Sequence, residues 1–418
     1  VCGVPSPCLL YAASPLHDRA LLERLRAVVT TVAERLAGAR DLGLATSPGE
    51  AAERLQGCGP AVIVFSTGGT EHIVLQAAAA AAGPLLLVAH PYANSLPALL
   101  EAYPLLRRLG ASAAYIEELS PEAAERGLAP GLRGLLAASR LRGARLGVIG
   151  EPSPWLVYSR VEPAELRERL GVTLVEVPME RLVEEYQGAS PPPGLLERLA
   201  SSAASVERPR AELEKALRLY AAVKRIAERE RLDAVTVECF EVIPRLDTTA
   251  CLALSLLNSE GIVAGCEGDV PATLTMMLAS WASGRPAFMA NPARLYSDGL
   301  LLAHCTAPIS EGRYRLLSHY ETGKGVGVSL EYPRGAEATI ARLSPSLDAL
   351  RIGVGEVLES GLLSPQHCRT QVRLRTRWNP YTLLEESTGN HHVLVLGNHV
   401  EALKAAAQML GIKPEVLG

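Results

Sequence analysis

Two carboxylates one residue apart, Glu267 and Asp269, stand where a strand-like apolar run passes directly into a helix-like one, in the stretch AGCEGDVPATLTM. In an extended turn, residues two apart point the same way, so both carboxylates can face one pocket. Gly268 between them leaves room for another group to approach. The pair suits a metal ligand beside an acid/base group at the carboxyl end of a strand. Asp269 also suits the N-cap of a helix with Pro271 in its first turn, and the two readings are compatible. The stretch GNHHVLVLGNH opens an apolar strand with His391 and His392. Successive strand residues face opposite sides, so only one of the two enters a given pocket, and the sequence favours neither. Neutral imidazole is a common metal ligand, although a strand histidine serves equally well in a core or on a surface.

Other groups stand at comparable places. His304 lies near the end of the apolar run LLLAHC, and His319 and Glu321 precede a glycine-rich turn carrying Lys324. Glu238 closes a further apolar run, with Glu241 shortly after it, and a carboxylate at such an edge is well placed for a site or is a surface charge. In the first third, STGGTE joins a strand to a helix, so Thr67 and the helix N–H groups can hold an anion or a sugar hydroxyl. Its bland reading is a turn capped by Ser66 or Thr70. It is neither a Walker loop nor a dinucleotide fingerprint. Asn94, in PYANSLP, is placed to border a cleft.

Positioning these groups takes layered α/β structure. Apolar runs at 8–12, 61–65 and 85–89 alternate with helical patterns at 17–37, 70–82 and 95–109, which predicts a parallel sheet with right-handed crossovers. The Gly/Pro-punctuated segment 127–134 is read as the end of that domain. A second α/β unit follows: strand 145–149, helix 163–170, strand 174–177, a long charged helix 212–231 and strand 234–239. In the last third, helices at 248–258 and 271–282 bracket strand 262–266. Closely spaced β runs then predict an antiparallel sheet or barrel, with a closing helix at 401–410. The expected fold is two Rossmann-like α/β domains, 1–140 and 141–245, followed by a C-terminal catalytic domain with an antiparallel β-barrel, 246–418.

Composition excludes several functions. Hydrophobic residues form 48% of the 418, charged residues 21%, and the net charge is −4, a globular balance with no basic run for nucleic acid. No apolar stretch reaches the ~18 residues of a membrane span, and the first ten residues do not read as a signal peptide. Eight scattered cysteines form no C-x-x-C pair, which argues against a zinc knuckle or redox motif; several sit in apolar strand-like runs, where cysteine packs as a small hydrophobe, and a reducing cytoplasm is expected. Lysine is rare and arginine abundant, as a GC-rich genome or a thermophile would produce; the bias does not decide between them.

The motifs also occur in a recognisable order. LSLLNSEGIVAGCEGDVPATLTMML, GRPAFMANP, LLLAHCTAP, SHYETGKGVGV and GNHHVLVLGNHVEALKAAAQMLGI resemble the C-terminal half of L-fucose isomerase and L-arabinose isomerase-like proteins, and STGGTE and NSLPALLE resemble their N-terminal domain. The resemblance is specific from about residue 234 onward. It implies an aldose–ketose isomerase of open-chain sugars, working through an enediol with a divalent metal, usually Mn²⁺, and assembled as a trimer or hexamer. Asp269, His391 and His319 match metal ligands of the family, and Glu238, Glu267 and Asp269 are the implied acid/base groups. His304, Glu321, His392, Thr67 and Asn94 are left as sugar-binding candidates. Two positions depart from the pattern. His304 falls where arabinose isomerase has a ligand glutamate, and Leu254 where fucose isomerase has one, so Glu238 or Glu267 supplies the missing carboxylate or the metal site has degenerated. The rival readings are a sugar-binding protein without catalysis, or an epimerase or aldolase on the same scaffold, with Lys324 the residue to watch for a Schiff base.

Overall fold

A computed structural model describes residues 5–16 and 18–418; the expected helix start at His17, and Cys2, lie outside the described residues. The chain divides into two compact units, one running to Arg142 and including Glu401–Pro414, the other comprising Gly143–Val400 and Glu415–Gly418. The expected second and third segments thus lie largely within one unit.

In the first unit, β1 (Cys8–Ala12), β2 (Arg40–Ala45), β3 (Ala61–Phe65), β4 (Leu85–Ala89) and β5 (Ala111–Tyr115) form a parallel sheet in the order β2-β1-β3-β4-β5. The three central strands are fully buried, which is why they read as unbroken apolar runs. The edge strands β2 and β5 are partly exposed and too mixed in composition to be recognised from sequence.

The segment 127–134, read as the end of the first domain, is not a loop. It lies inside the 21-residue helix Pro121–Leu141. Its glycines serve close packing: a Cβ on Gly131 would sit 2.6 Å from Leu86, and one on Gly134 would sit 2.7 Å from the Ala402 carbonyl oxygen. Replacing Gly134 by alanine therefore pits about 1 kcal/mol of helix propensity against about 1–3 kcal/mol of overpacking onto backbone. The thermal midpoint of Gly134→Ala is expected to fall. Gly49→Ala, which meets nothing within 4 Å, is expected to hold or raise it.

In the second unit, β6 (Arg145–Ile149), β7 (Thr173–Val177), β9 (Ala234–Val237) and β10 (Val263–Cys266) form a parallel sheet in the order β10-β9-β6-β7, and β8 (Ser205–Val206) joins a small sheet. Beyond it come β11 (Phe288–Tyr296), β12 (Gly299–His304), β13 (Arg313–Leu317), β14 (Gly327–Glu331), β15 (Glu337–Leu343), β16 (Ala349–Gly361), β17 (Thr370–Thr376) and β18 (His392–Leu396). Antiparallel pairing runs β15-β18-β11-β12-β17-β16, and β16 pairs back to β15, closing a six-stranded barrel. The helix Val270–Ser283, buried over most of its length, packs both on β9 and β10 and on barrel strands β11, β15 and β18. One element therefore holds the sheet edge against the barrel.

The cysteines do not all behave as small hydrophobes. Cys8 is bonded to Cys58 and Cys239 to Cys266, while Cys251, Cys305 and Cys368 are free thiols. The partners are 50 and 27 residues apart in sequence, so nothing local announces them. No helix among the described residues is long and apolar enough to cross a membrane.

Candidate functional site

Adjacent strands of the second parallel sheet deliver the groups from their carboxyl edges, the usual place for a site in an open α/β sheet. The turn after β10 carries Glu267 and Asp269, Glu238 follows β9, and the loop after β6 carries Ser153 and Trp155. Glu267 has a φ of 62°, a left-handed conformation that costs a residue with a Cβ about 1–3 kcal/mol. Gly268 follows at φ 68°, where a Cβ would meet Pro152 Cα at 2.7 Å. Asp269 caps the next helix, accepting the Ala272 N–H at 2.8 Å.

The barrel supplies the facing groups. His304 ends β12 and His391 immediately precedes β18. One ligand atom each from Glu267, His304 and His391 lies within 4.8 Å of the others, and all three residues are buried. Glu267 Oε1 is 3.5 Å from His391 Nε2 and 3.8 Å from His304 Nε2, while its Oε2 accepts the Trp155 indole N–H at 2.7 Å. His391 Nδ1–H donates to Asp269 Oδ2 at 2.9 Å, which fixes the ring and leaves Nε2 as a buried atom without a hydrogen-bond partner. Arg342, fully buried on β15, reaches both Asp269 oxygens at 3.2 and 3.3 Å and donates to Ser159 and the Thr388 carbonyl. Trp155 packs edge-on against Phe240, their centroids 4.8 Å apart.

Burial sets the electrostatics, and pairing then redirects it. Burial pushes the Glu267 carboxyl up, but His304 and His391 hold it well below the usual carboxylate range. Burial opposes ionisation of Asp269 too, yet Arg342 and His391 keep its pKa low. Burial depresses the His391 imidazolium, whereas Asp269 and Glu267 raise it to about 9. Glu238 goes the other way: burial raises it, against the Ser153 hydroxyl at 2.8 Å and the Phe240 N–H, and the Glu267 charge adds to the rise. The site thus holds two carboxylates kept ionised, Glu267 and Asp269, and a third, Glu238, biased toward its proton.

The structure sorts the residues singled out from sequence. Glu267, His304 and His391 converge, with Glu238 linked to the same loops through Ser153. Asp269, expected as a ligand and acid/base group, has both oxygens engaged by protein donors. His319, expected as a third ligand beside Asp269 and His391, groups with Cys251 and Cys305 instead, with Thr322 and Glu321 against its two nitrogens. Glu321 lines the same cleft as Glu267, His304 and His319. His392 faces away from His391's partners, its Nδ1 near the Asn390 carbonyl, and burial lowers it to about 3. Lys324 is half-exposed and paired with Asp247 at 2.9 Å. Thr67 and Asn94 belong to the first unit: Thr67 accepts the Ser14 N–H at 2.8 Å, and Asn94 precedes the helix Ser95–Arg107 at φ 58°. The loops after β3 and β4 that carry them are joined by Gly68 N–H donating to the Ala93 carbonyl at 2.7 Å.

Arg342, Ser153 and Trp155 were not found from sequence. A charged residue inside the apolar run ATIARL was the available signal for Arg342, since an inward strand position tolerates a charge only when it is paired. Nothing local marks the loop residues.

No protein-family model matches this chain. It is similar to the sulfoquinovose isomerase of Priestia megaterium, 24% identical over 297 residues covering 66% of this chain and 65% of that protein. It is also similar to those of Alkalicoccus urumqiensis, 25% over 311 residues covering 65% of each chain, and Clostridium sp. (strain MSTE9), 26% over 306 residues covering 66% of this chain and 65% of that protein. The match spans about 65% of the length of these curated relatives.

Proposed function

We propose that this chain is a divalent-metal-dependent aldose–ketose isomerase of open-chain sugars, with Glu267, His304 and His391 as the residues that hold the metal. The observation that carries the reading is the convergence of one carboxylate and two imidazoles at one buried place, with His391 Nε2 making no hydrogen bond and facing Glu267 Oε1 at 3.5 Å. An N/O donor set of this kind suits Mn²⁺ and similar ions. The similarity to sulfoquinovose isomerases supports the reaction class and makes sulfoquinovose, a sulfonated aldose, the first substrate to assay, with L-fucose and D-arabinose beside it.

A cation held by Glu267, His304 and His391 would supply Lewis acidity to an α-hydroxy carbonyl, making the proton on its hydroxyl-bearing carbon easier to remove. The remaining work falls to side chains. Glu238, with its pKa drawn upward, is suited to take that proton and return it to the neighbouring carbon. Asp269 orients His391 through Nδ1, and Arg342 keeps Asp269 ionised. Trp155 holds Glu267 by its second oxygen, and with Phe240 forms an apolar wall beside the carboxylates. Assembly as a trimer or hexamer belongs to the same proposal.

The test is ketose formation from these aldoses by purified protein, before chelation, after it, and after Mn²⁺ is restored. Activity that disappears and returns supports the reading. Sugar binding that is insensitive to chelator, with no turnover, replaces it with the binding-protein reading.

The metal reading also fixes a pH dependence. His391 in the metal-free fold has a pKa raised from 6.5 to about 9, so its extra stabilisation is complete below 6.5 and lost as pH rises through 9. Ligation requires Nε2 without its proton, so apparent metal affinity is expected to rise about tenfold per pH unit across that window. Calorimetry in buffers of different ionisation enthalpy reads the released proton, and affinity independent of pH would contradict the assignment.

A further inference from the structure

The residues that the isomerase reading leaves over form a cluster of their own. Ligand atoms of Cys251, Cys305 and His319 lie within 4.8 Å of one another, all three buried, and the Cys368 thiol is in hydrogen-bonding contact with Cys305. The four come from separate places: the first residue of the helix Cys251–Ser259, the residue after β12, the loop after β13, and the approach to β17. A further feature suits Cys305 in its thiolate form: the Arg369 N–H donates to its Sγ at 3.5 Å. All four residues line the same cleft as Glu267 and His304.

We propose that Cys251, Cys305, Cys368 and His319 form a second cation site, selective for a thiophilic divalent ion such as Zn²⁺. Three sulfurs and one imidazole match the tetrahedral soft-donor sets that hold zinc, whereas the Glu267, His304 and His391 set is harder. Binding releases the thiol protons to solvent and ties the 318–325 turn, which carries His319 and Glu321, to the helix at Cys251 and the strands β12 and β17. The site stands independently of the isomerase reading, because it shares none of that reading's metal ligands.

Co²⁺ titration of the purified chain tests it, since cobalt bound by thiolate absorbs strongly in the near-ultraviolet and cobalt bound by carboxylate and imidazole does not. The expected result is a saturable thiolate-to-cobalt band, retained in His391→Ala and lost in Cys305→Ser. Absence of the band from the wild-type chain, or its persistence in folded Cys305→Ser, overturns the proposal. Alkylation mapping guards against a variant that fails to fold. Co²⁺ or Zn²⁺ is expected to slow modification of Cys251, Cys305 and Cys368 in the wild-type chain at least tenfold, and unchanged modification of the three overturns the proposal equally.

Discussion

Exchanging Glu267 for glutamine is expected to lower ketose formation by about a thousandfold or more, on the scale of losing a charged group that acts on the developing transition state. The exchange is nearly isosteric. Glutamine still offers an oxygen to the Trp155 indole, which now lies 2.7 Å from Oε2, and it sits in the same left-handed turn, so the fold is expected to persist. What disappears is the negative charge between two imidazoles. The variant is therefore expected to emerge from purification with little bound metal, and turnover and metal content should fall together. Steady-state kinetics and elemental analysis of the same preparation check this. A second readout needs no catalysis. Glu267 and Asp269 together raise His391 to about 9, so the His391 pKa, followed by its ring resonances in metal-free protein, is expected to move down in Glu267→Gln. Normal metal content with normal turnover in this variant would remove Glu267 from the ligand set. Trp155→Phe, which leaves the charge in place, is expected to cost far less.

Replacing Arg342 by methionine is expected to destabilise the second unit by about 3–5 kcal/mol, the range for breaking a fully buried ion pair from one side. Neither Arg342 nor Asp269 has measurable exposure, and the guanidinium also satisfies the Thr388 carbonyl and the Ser159 hydroxyl. Without it, Asp269 keeps only the Ala272 N–H and His391 Nδ1–H as partners, and its charge is buried without a full counter-charge. The urea midpoint should drop accordingly. Neutralising the stranded carboxylate in Arg342→Met/Asp269→Asn is expected to recover part of the loss. Arg342→Lys should recover little, because a point charge cannot reproduce a fork that spans Asp269, Ser159 and Thr388. Equal stability of Arg342→Met and the parent would show that the pair holds nothing together.

Both predictions concern residues that sequence treats unequally. Glu267 was visible because its type and its place between a strand and a helix already suggest chemistry. Arg342 was invisible as a partner of Asp269, since the two are 73 residues apart and meet only when the barrel closes. The same contrast runs through the fold. The buried central strands of the first sheet, the runs that became barrel strands and the cap at Asp269 are local patterns of hydrophobicity and capping, so the sequence determined them. The glycines at 127–134 misled because close packing and chain reversal call for the same residue, and only the neighbours Leu86 and Ala402 reveal which is at work.

What the tertiary structure decided is orientation and company. Strand alternation allowed His391 or His392 to face the cleft; the pairing of β18 with β11 and β15 selects His391 and turns His392 away. Asp269 and His319 looked like ligands by position, but one is enclosed by Arg342, Ala272 and His391, and the other stands among sulfurs. Residue type and local spacing are carried by the chain itself and survive in any conformation. Which atoms lie within 4 Å of each other depends on register and barrel closure, contacts between segments far apart in sequence, and those exist only once the whole unit has folded.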